Sequence, residues 1–248
     1  MSQRAHDVLS GVDTVVGYGT YVELVRELVA EKEIISTGMT REVDRVTKAI
    51  DLARNGRAVA LISSGDPGIY AMAGLVFELC AARRIAVTTT QRAADARASR
   101  SNALAIEVVP GIPALCAGAA LLGAPLMHDF AAVSLSDLLT PWPVIEKRLH
   151  AAAQADFVMV IYNPKSKKRH WQLQKAQQIA LAYRGGDTPV GIVTGAMRDH
   201  QRIGITSLAR LHTAEVNMQT TVFIGNSTTT QYGDFLYTLR GYGDKYGF

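Results

Sequence analysis

The stretch Arg57-Ala58-Val59-Ala60-Leu61-Ile62-Ser63-Ser64-Gly65-Asp66-Pro67-Gly68-Ile69-Tyr70 decides the fold. Residues 57–63 form a short apolar run with turn residues behind it, which is how a strand buried on both faces reads. Ser-Gly-Asp-Pro-Gly at 64–68 then forces a sharp turn. Residues 70–82 continue as an apolar helix. Strand, tight turn and helix in that order are one half of a crossover unit, and such units build parallel sheets.

Working outward, the same alternation repeats. Upstream, residues 2–10 read as a helix with Ala5, Val8 and Leu9 on one face, stopped at Gly11. A strand is expected over 13–16, a helix over 20–29, a strand over 33–36 and a helix over 41–55, ending at Asn55-Gly56. Downstream, a strand at 105–109 closes on Pro110-Gly111, and an Ala-, Gly- and Leu-rich helix fills 112–124. Further strands are expected at 131–135, 157–162, 190–194 and 220–224, with helices at 142–155, 171–183 and near 207–211. The fold class is therefore α/β. The chain is expected to divide into two domains, 1–111 and 112–248. The first has a mostly parallel sheet with helices on both faces, and the second a mixed sheet. Only the segment 83–100 breaks the rhythm. Its arginines leave two readings, an exposed insertion or a basic flap over an anionic ligand.

Composition narrows the classes of function. At 248 residues with 48% hydrophobic and 19% charged side chains, the chain can bury full cores. A net charge of +4 permits an anionic partner but is too small to argue for nucleic acid. Two cysteines, Cys80 and Cys116, exclude a disulfide framework and a cysteine zinc site. No long apolar run suggests a membrane span and no leader pattern opens the chain, so a cytoplasmic protein without a membrane partner is expected.

The chemistry-bearing candidates sit where strands end. Open α/β sheets bind ligands at the carboxyl ends of their strands. Gly65 and Gly68 allow close backbone approach there, and Asp66 can either accept hydrogen bonds from a ligand or cap the helix behind it. The segment lacks the glycine and lysine spacing of a phosphate loop, so its ligand need not carry phosphate, and S-adenosylmethionine meets that condition. Val109-Pro110-Gly111-Ile112-Pro113-Ala114 repeats the arrangement, with Pro113 in the first helical turn.

Taken together, SSGDPGIY at 63–70 and VVPGIPA at 108–114 resemble the tetrapyrrole methylase family. Five further motifs add to the likeness: Gly17-Tyr18-x-Thr20-Tyr21, Thr37-Gly38-Met39 with Arg41-Glu42, the segment 123–130 with His128-Asp129, Ser134-Leu135-Ser136-Asp137-Leu138-Leu139-Thr140-Pro141-Trp142, and Tyr162-Asn163-Pro164-Lys165-Ser166. Gly225-Asn226-Ser227 completes the set. The likeness is to the branch that methylates carbon 17 of the corrin precursor precorrin-3B, in its metal-free or cobalt form, with contraction of the ring. It implies two α/β domains with S-adenosylmethionine in the cleft between them and a homodimer. Apart from the resemblance, His6, His150, His170, His200 and His212 show no pairing at ligand spacing, so no metal held by the protein is expected. In one respect the chain departs from the family pattern. A family member is expected to open with a strand and a Gly-x-Gly-Pro-Gly loop, and about 20 residues of that kind are expected to be missing before Met1.

Carried over motif by motif, the resemblance assigns the cofactor to Gly65, Asp66, Ile69, Tyr70, Pro113, Ala114, Tyr162, Asn163, Ala196 and Thr221. It assigns proton transfer during ring contraction to His128, Asp129 and Asp137, although His128-Asp129 reads equally as a turn. Substrate carboxylates are assigned to Arg41, Arg45, Lys165 and Lys167. Lys168 and Arg169 extend that last cluster, which also reads as a solvated helix start. The competing readings are the same scaffold acting at another corrin carbon, the same scaffold acting on ribosomal RNA, and a truncated tetrapyrrole-binding protein without activity.

Overall fold

The computed structural model describes residues 1–95 and 102–247. The chain divides into two compact units, Met1–Pro113 and Ala114–Phe248.

The first unit runs α1 (Gln3–Gly11), β1 (Thr14–Tyr18), α2 (Gly19–Glu23), β2 (Glu33–Thr37), α3 (Glu42–Arg54), β3 (Val59–Ile62), α4 (Met72–Ala82), β4 (Val87–Thr89), α5 (Thr90–Asp95) and β5 (Leu104–Ile106). All its strand pairs are parallel, in a sheet of order β2-β1-β3 and a separate pair β4-β5. Period-two alternation in β3 divides its side chains between two cores. Ala60 and Ile62 join Leu9, Val12, Val15 and Val29 on the α1 side. Leu61 joins Val46, Ile50 and Cys80 on the side of α3 and α4. Leu104 and Ile106 of β5 pack into that second cluster, although β3 and β5 are not hydrogen bonded to each other. Each of these two strands is paired along one edge only among the described residues.

The helix expected over 20–29 is interrupted. α2 ends at Glu23, and a single 3₁₀ stretch, Arg26–Val29, follows. Only Val22 and Val29 are fully buried here, too few apolar contacts to carry a continuous helix. The arginine-rich segment is mostly exposed over its described residues, 83–95. Its described part forms β4 and α5, and Arg83 pairs with Asp51 at 2.6 Å. Residues 96–101, with Arg97 and Arg100, lie outside the described residues.

The second unit runs α6 (Ala114–Leu122), β6 (Gly123–Ala124), β7 (Phe130–Ser134), α7 (Trp142–Gln154), β8 (Val158–Tyr162), α8 (Gln172–Leu181), β9 (Pro189–Thr194), β10 (Arg202–Ser207), β11 (Thr220–Ile224), β12 (Thr229–Tyr232), β13 (Phe235–Thr238) and α9 (Tyr242–Tyr246). Its main sheet, of order β10-β9-β11-β8-β7, is mixed: β7 and β8 are parallel and the other pairs antiparallel. One face buries Met159, Ile161, Val222 and Ile224 beneath α7 and α8. The other buries Val160, Val193 and Phe223 beneath Leu115 and Leu122 of α6. Gly118 lets α6 approach this closely, since a Cβ there would lie 2.7 Å from the Phe223 ring.

Candidate functional site

In the first unit the loop after β3 is closed by its own aspartate. Asp66 Oδ1 accepts the Gly68 amide at 2.8 Å, and Oδ2 accepts the Gly111 amide at 3.0 Å. The carboxylate therefore joins the loop after β3 to the loop after β5. The two backbones nearly touch: a Cβ on Gly111 would lie 1.9 Å from the Gly65 carbonyl oxygen, so only glycine fits. Gly65 has φ +75°, and Tyr70 is held at φ +53° ahead of α4. Tyr70 is thus part of the loop, not of the helix expected from residue 70. Ile69 and Tyr70 keep 36% and 55% of their surface exposed at this strand end. No basic side chain occurs between residues 58 and 82. An apolar wall without a cationic cradle suits a ligand with a nucleoside and an amino acid part but no phosphate.

Two expected substrate arginines are placed differently. Arg41 is exposed, just ahead of α3, and pairs with Asp44 in the first turn of that helix at 2.7 Å. Arg45 is only 4% exposed. Its Nε donates to Thr37 Oγ1 at 2.7 Å, its Nη2 to the Gly38 carbonyl at 2.9 Å, and its guanidinium lies 5.9 Å from the centre of the Tyr18 ring. Arg45 anchors the end of β2 to α3. The substrate assignment is corrected here, because α3 turns this residue inward.

The second unit gathers its candidates along one sheet edge. The carboxyl ends of β7, β8 and β9 and the amino end of β11 share that edge, because β11 is antiparallel to β8 and β9. Tyr162, Asn163, Ala196 and Thr221 all fall on it or just beyond it. The Tyr162 hydroxyl accepts the Leu115 amide at 2.8 Å. Asn163 has φ +53°, a left-handed conformation that asparagine tolerates, and its side-chain amide donates to Ser134 Oγ at 2.9 Å. At the same edge a cavity of about 640 Å³ opens, with Lys165, Thr194, His200 and Asn217 in its lining.

Asp137 lies in the loop after β7, where Gln172 Nε2 donates to its Oδ2 at 2.8 Å. His128 and Asp129 precede β7, and the Asp129 carbonyl accepts the amide of Val158 at the start of β8. Five strand residues separate them from Asp137, about 16 Å at 3.3 Å per residue. The structure therefore does not gather the expected trio. Both His128 and Asp129 are exposed, with His128 Nδ1 accepting the Asp129 amide at 2.8 Å, a local turn contact.

The cationic cluster after Tyr162 divides. Lys165, Lys167 and Lys168 are exposed, whereas Arg169 is 5% exposed and donates from Nε to the Asn163 carbonyl at 2.8 Å. Burial lowers the Arg169 pKa, and nearby Asp137 raises it in part. Sequence reasoning grouped Arg169 with surface cations and missed its place under Asn163. Ser166 Oγ accepts the amides of both Lys168 and Arg169, at 3.3 and 3.1 Å, so the turn it closes does not by itself mark which of the two is buried. Among the described residues, no cluster of histidine, cysteine or carboxylate side chains could hold a metal ion.

Residues 1–212 match the model of the tetrapyrrole (corrin/porphyrin) methylases. The chain belongs to the tetrapyrrole methylase family. Among curated proteins, the chain is 47% identical over 99% of its length to a cobalt-factor III methyltransferase of Priestia megaterium, but spans only 43% of that longer protein. It is 44% identical over 98% of its length to a probable cobalt-factor III C(17)-methyltransferase of Salmonella typhimurium, covering 93% of that protein. Among solved structures it is similar to the methyltransferase CobJ, with 33% identity and a TM-score of 0.81, over 96% of this chain and 93% of that one. The α/β class and the mixed sheet expected of the second unit agree with that neighbour.

Proposed function

We propose that this chain is an S-adenosylmethionine-dependent methyltransferase of cobalamin biosynthesis. Its reaction is methylation of carbon 17 of the precorrin-3B macrocycle with ring contraction. The observation that carries the proposal is the near full-length identity of 44% to a protein named for that carbon. Both curated relatives above are named for cobalt-factor III, which favours the cobalt-loaded substrate.

When bound, S-adenosylmethionine supplies a methyl group already activated on a sulfonium. The chain's own task is then alignment, which can supply about 7–11 kcal/mol of barrier reduction. We assign donor binding to Gly65, Ile69, Tyr70 and Pro113 in the first unit and to Ala114, Tyr162, Asn163, Ala196 and Thr221 in the second. Asp66 acts through the backbone it holds, since each of its oxygens accepts a loop amide. Lys165 and Lys167 are assigned to substrate carboxylates. Asp137 keeps the assignment to proton transfer, while His128 and Asp129 lose it because they lie at the other end of β7. The proposal includes a cytoplasmic homodimer. Its support is the exposed aromatic hairpin of Tyr232 and Phe235, 78% and 58% exposed.

The test is anaerobic incubation of the full chain with S-adenosylmethionine and cobalt-factor III, and separately with precorrin-3B, followed by mass spectrometry. The expected result is S-adenosylhomocysteine together with a macrocycle that has gained one methyl group at carbon 17. Bound macrocycle without S-adenosylhomocysteine would reduce the chain to a tetrapyrrole-binding protein.

A further inference from the structure

The loop that joins β7 to α7 carries an arrangement that the fold itself does not require. Leu135, at its start, is fully buried, while Leu138 and Leu139 are 81% and 97% exposed. Two adjacent leucines this far into water would be unremarkable on a loose loop, but the base of this loop is held on both sides. The Leu135 amide donates to the Tyr162 carbonyl at 2.9 Å. Ser134 Oγ accepts the Ser136 amide at 3.2 Å and the Asn163 side chain at 2.9 Å. Buried Arg169 bonds the Asn163 carbonyl and reaches Ser136 Oγ at 3.5 Å. Gln172, 1% exposed, holds Asp137, and beyond the leucines Trp142 packs edge-to-face on Trp171 at 4.7 Å between ring centres. The two loops, 135–141 and 163–171, therefore form one laced platform, and the platform keeps the leucines pointing outward.

The charge on the platform has one sign where it is free. Lys165, Lys167 and Lys168 are exposed, and the one acidic residue of the two loops, Asp137, is turned onto Gln172. An apolar tip beside a cationic rim matches a flat apolar ring edged with carboxylates. We propose that Leu138 and Leu139 are the contact for the flat face of the tetrapyrrole, with Lys165 and Lys167 meeting its carboxylates. The inference rests on the methyltransferase reading above and adds Leu138 and Leu139, to which that reading gives no role, beside the two lysines it already assigns.

The test uses the full chain and two double variants, Leu138→Ser with Leu139→Ser and Lys165→Gln with Lys167→Gln. Uroporphyrin III, a non-reacting octacarboxylate, is titrated by tryptophan quenching. S-adenosylhomocysteine is titrated by calorimetry, and oligomeric state is followed by sedimentation. The leucine variant is expected to keep its thermal midpoint, its sedimentation and its S-adenosylhomocysteine affinity, because both side chains are already in water. Its porphyrin Kd is expected to rise about 10- to 100-fold, the effect of two lost apolar contacts. The lysine variant is expected to weaken porphyrin binding and to flatten its salt dependence. Unchanged porphyrin affinity in the leucine variant overturns the inference and leaves the methyltransferase reading intact. A change confined to sedimentation also overturns it and makes the leucines a contact between copies. Failure of the wild-type chain to bind both porphyrin and S-adenosylhomocysteine overturns the reading beneath it and the inference with it.

Discussion

Replacing Asp66 by alanine removes two hydrogen bonds at once, from Gly68 at 2.8 Å and from Gly111 at 3.0 Å. A hydrogen bond to a charged acceptor contributes about 1.5–3 kcal/mol. The Gly68 bond is exposed and the Gly111 bond half-buried, so both belong at the low end, and their loss amounts to about 3 kcal/mol. With a urea m of about 2 kcal/mol per molar, the unfolding midpoint of the first unit falls by about 1.5 M. Asparagine retains one acceptor oxygen and loses the charge, so Asp66→Asn is expected to lose somewhat more than half as much. The assay pairs urea unfolding, followed by circular dichroism, with hydrogen exchange at the Gly68 and Gly111 amides. S-adenosylhomocysteine titration runs alongside. Faster exchange at Gly111 and a lower midpoint are expected, with ligand affinity falling in step. An unchanged midpoint with affinity lost tenfold or more would refute the reasoning, because Asp66 would then be a direct ligand contact and not a tie between loops.

Three further outcomes follow from particular contacts. Glu107, bonded through its carboxylate to Arg4, has its pKa held below the ordinary carboxylate range, so it stabilises α1 above that range and the contribution is lost as pH falls through the lowered value. Glu107→Gln is expected to flatten the acid side of the thermal midpoint against pH, and an unaltered profile would count against the pair. Arg184 is buried and donates to the Gly225 and Phe157 carbonyls, so Arg184→Met leaves two acceptors unpaired and is expected to cost about 2–5 kcal/mol in denaturant unfolding of the second unit. Gly118→Ala places a methyl group 2.7 Å from the Phe223 ring and is expected to cost about 1–3 kcal/mol, measured the same way.

How much was legible depends on the distance over which the information acts. The buried runs at 57–63, 157–162 and 220–224 announced their strands because side-chain period and turn residues are local. β10 and the β12–β13 hairpin were not anticipated. β10 is exposed or half-buried throughout, and the hairpin residues Tyr232 and Phe235 face water, so neither segment is the continuous apolar run that marks the buried strands. Their register comes from neighbours far along the chain, such as Arg202 opposite Thr194 and Leu236 opposite Gly123.

The same division holds for the candidate site. Gly65 and Asp66 stood out in the sequence because they lie where a strand turns out of its sheet, and Tyr162 and Asn163 stood out through the family likeness. Nothing in the sequence separates Arg45 from Arg41, or Arg169 from Lys168. One of each pair is buried and tied to backbone carbonyls, while the other is in water, and the difference is made by Gly38 and Asn163 after folding. The strand expected over 131–135 already set His128 and Asp137, nine residues apart in sequence, at opposite ends, and β7 places them so. Local pattern set the strands, the turns and the family likeness. Which charges are buried in the protein and which stay in water was decided by the packing, because a desolvated guanidinium needs polar partners, which only the folded turns supply: Thr37 and Gly38 for Arg45 and Asn163 for Arg169.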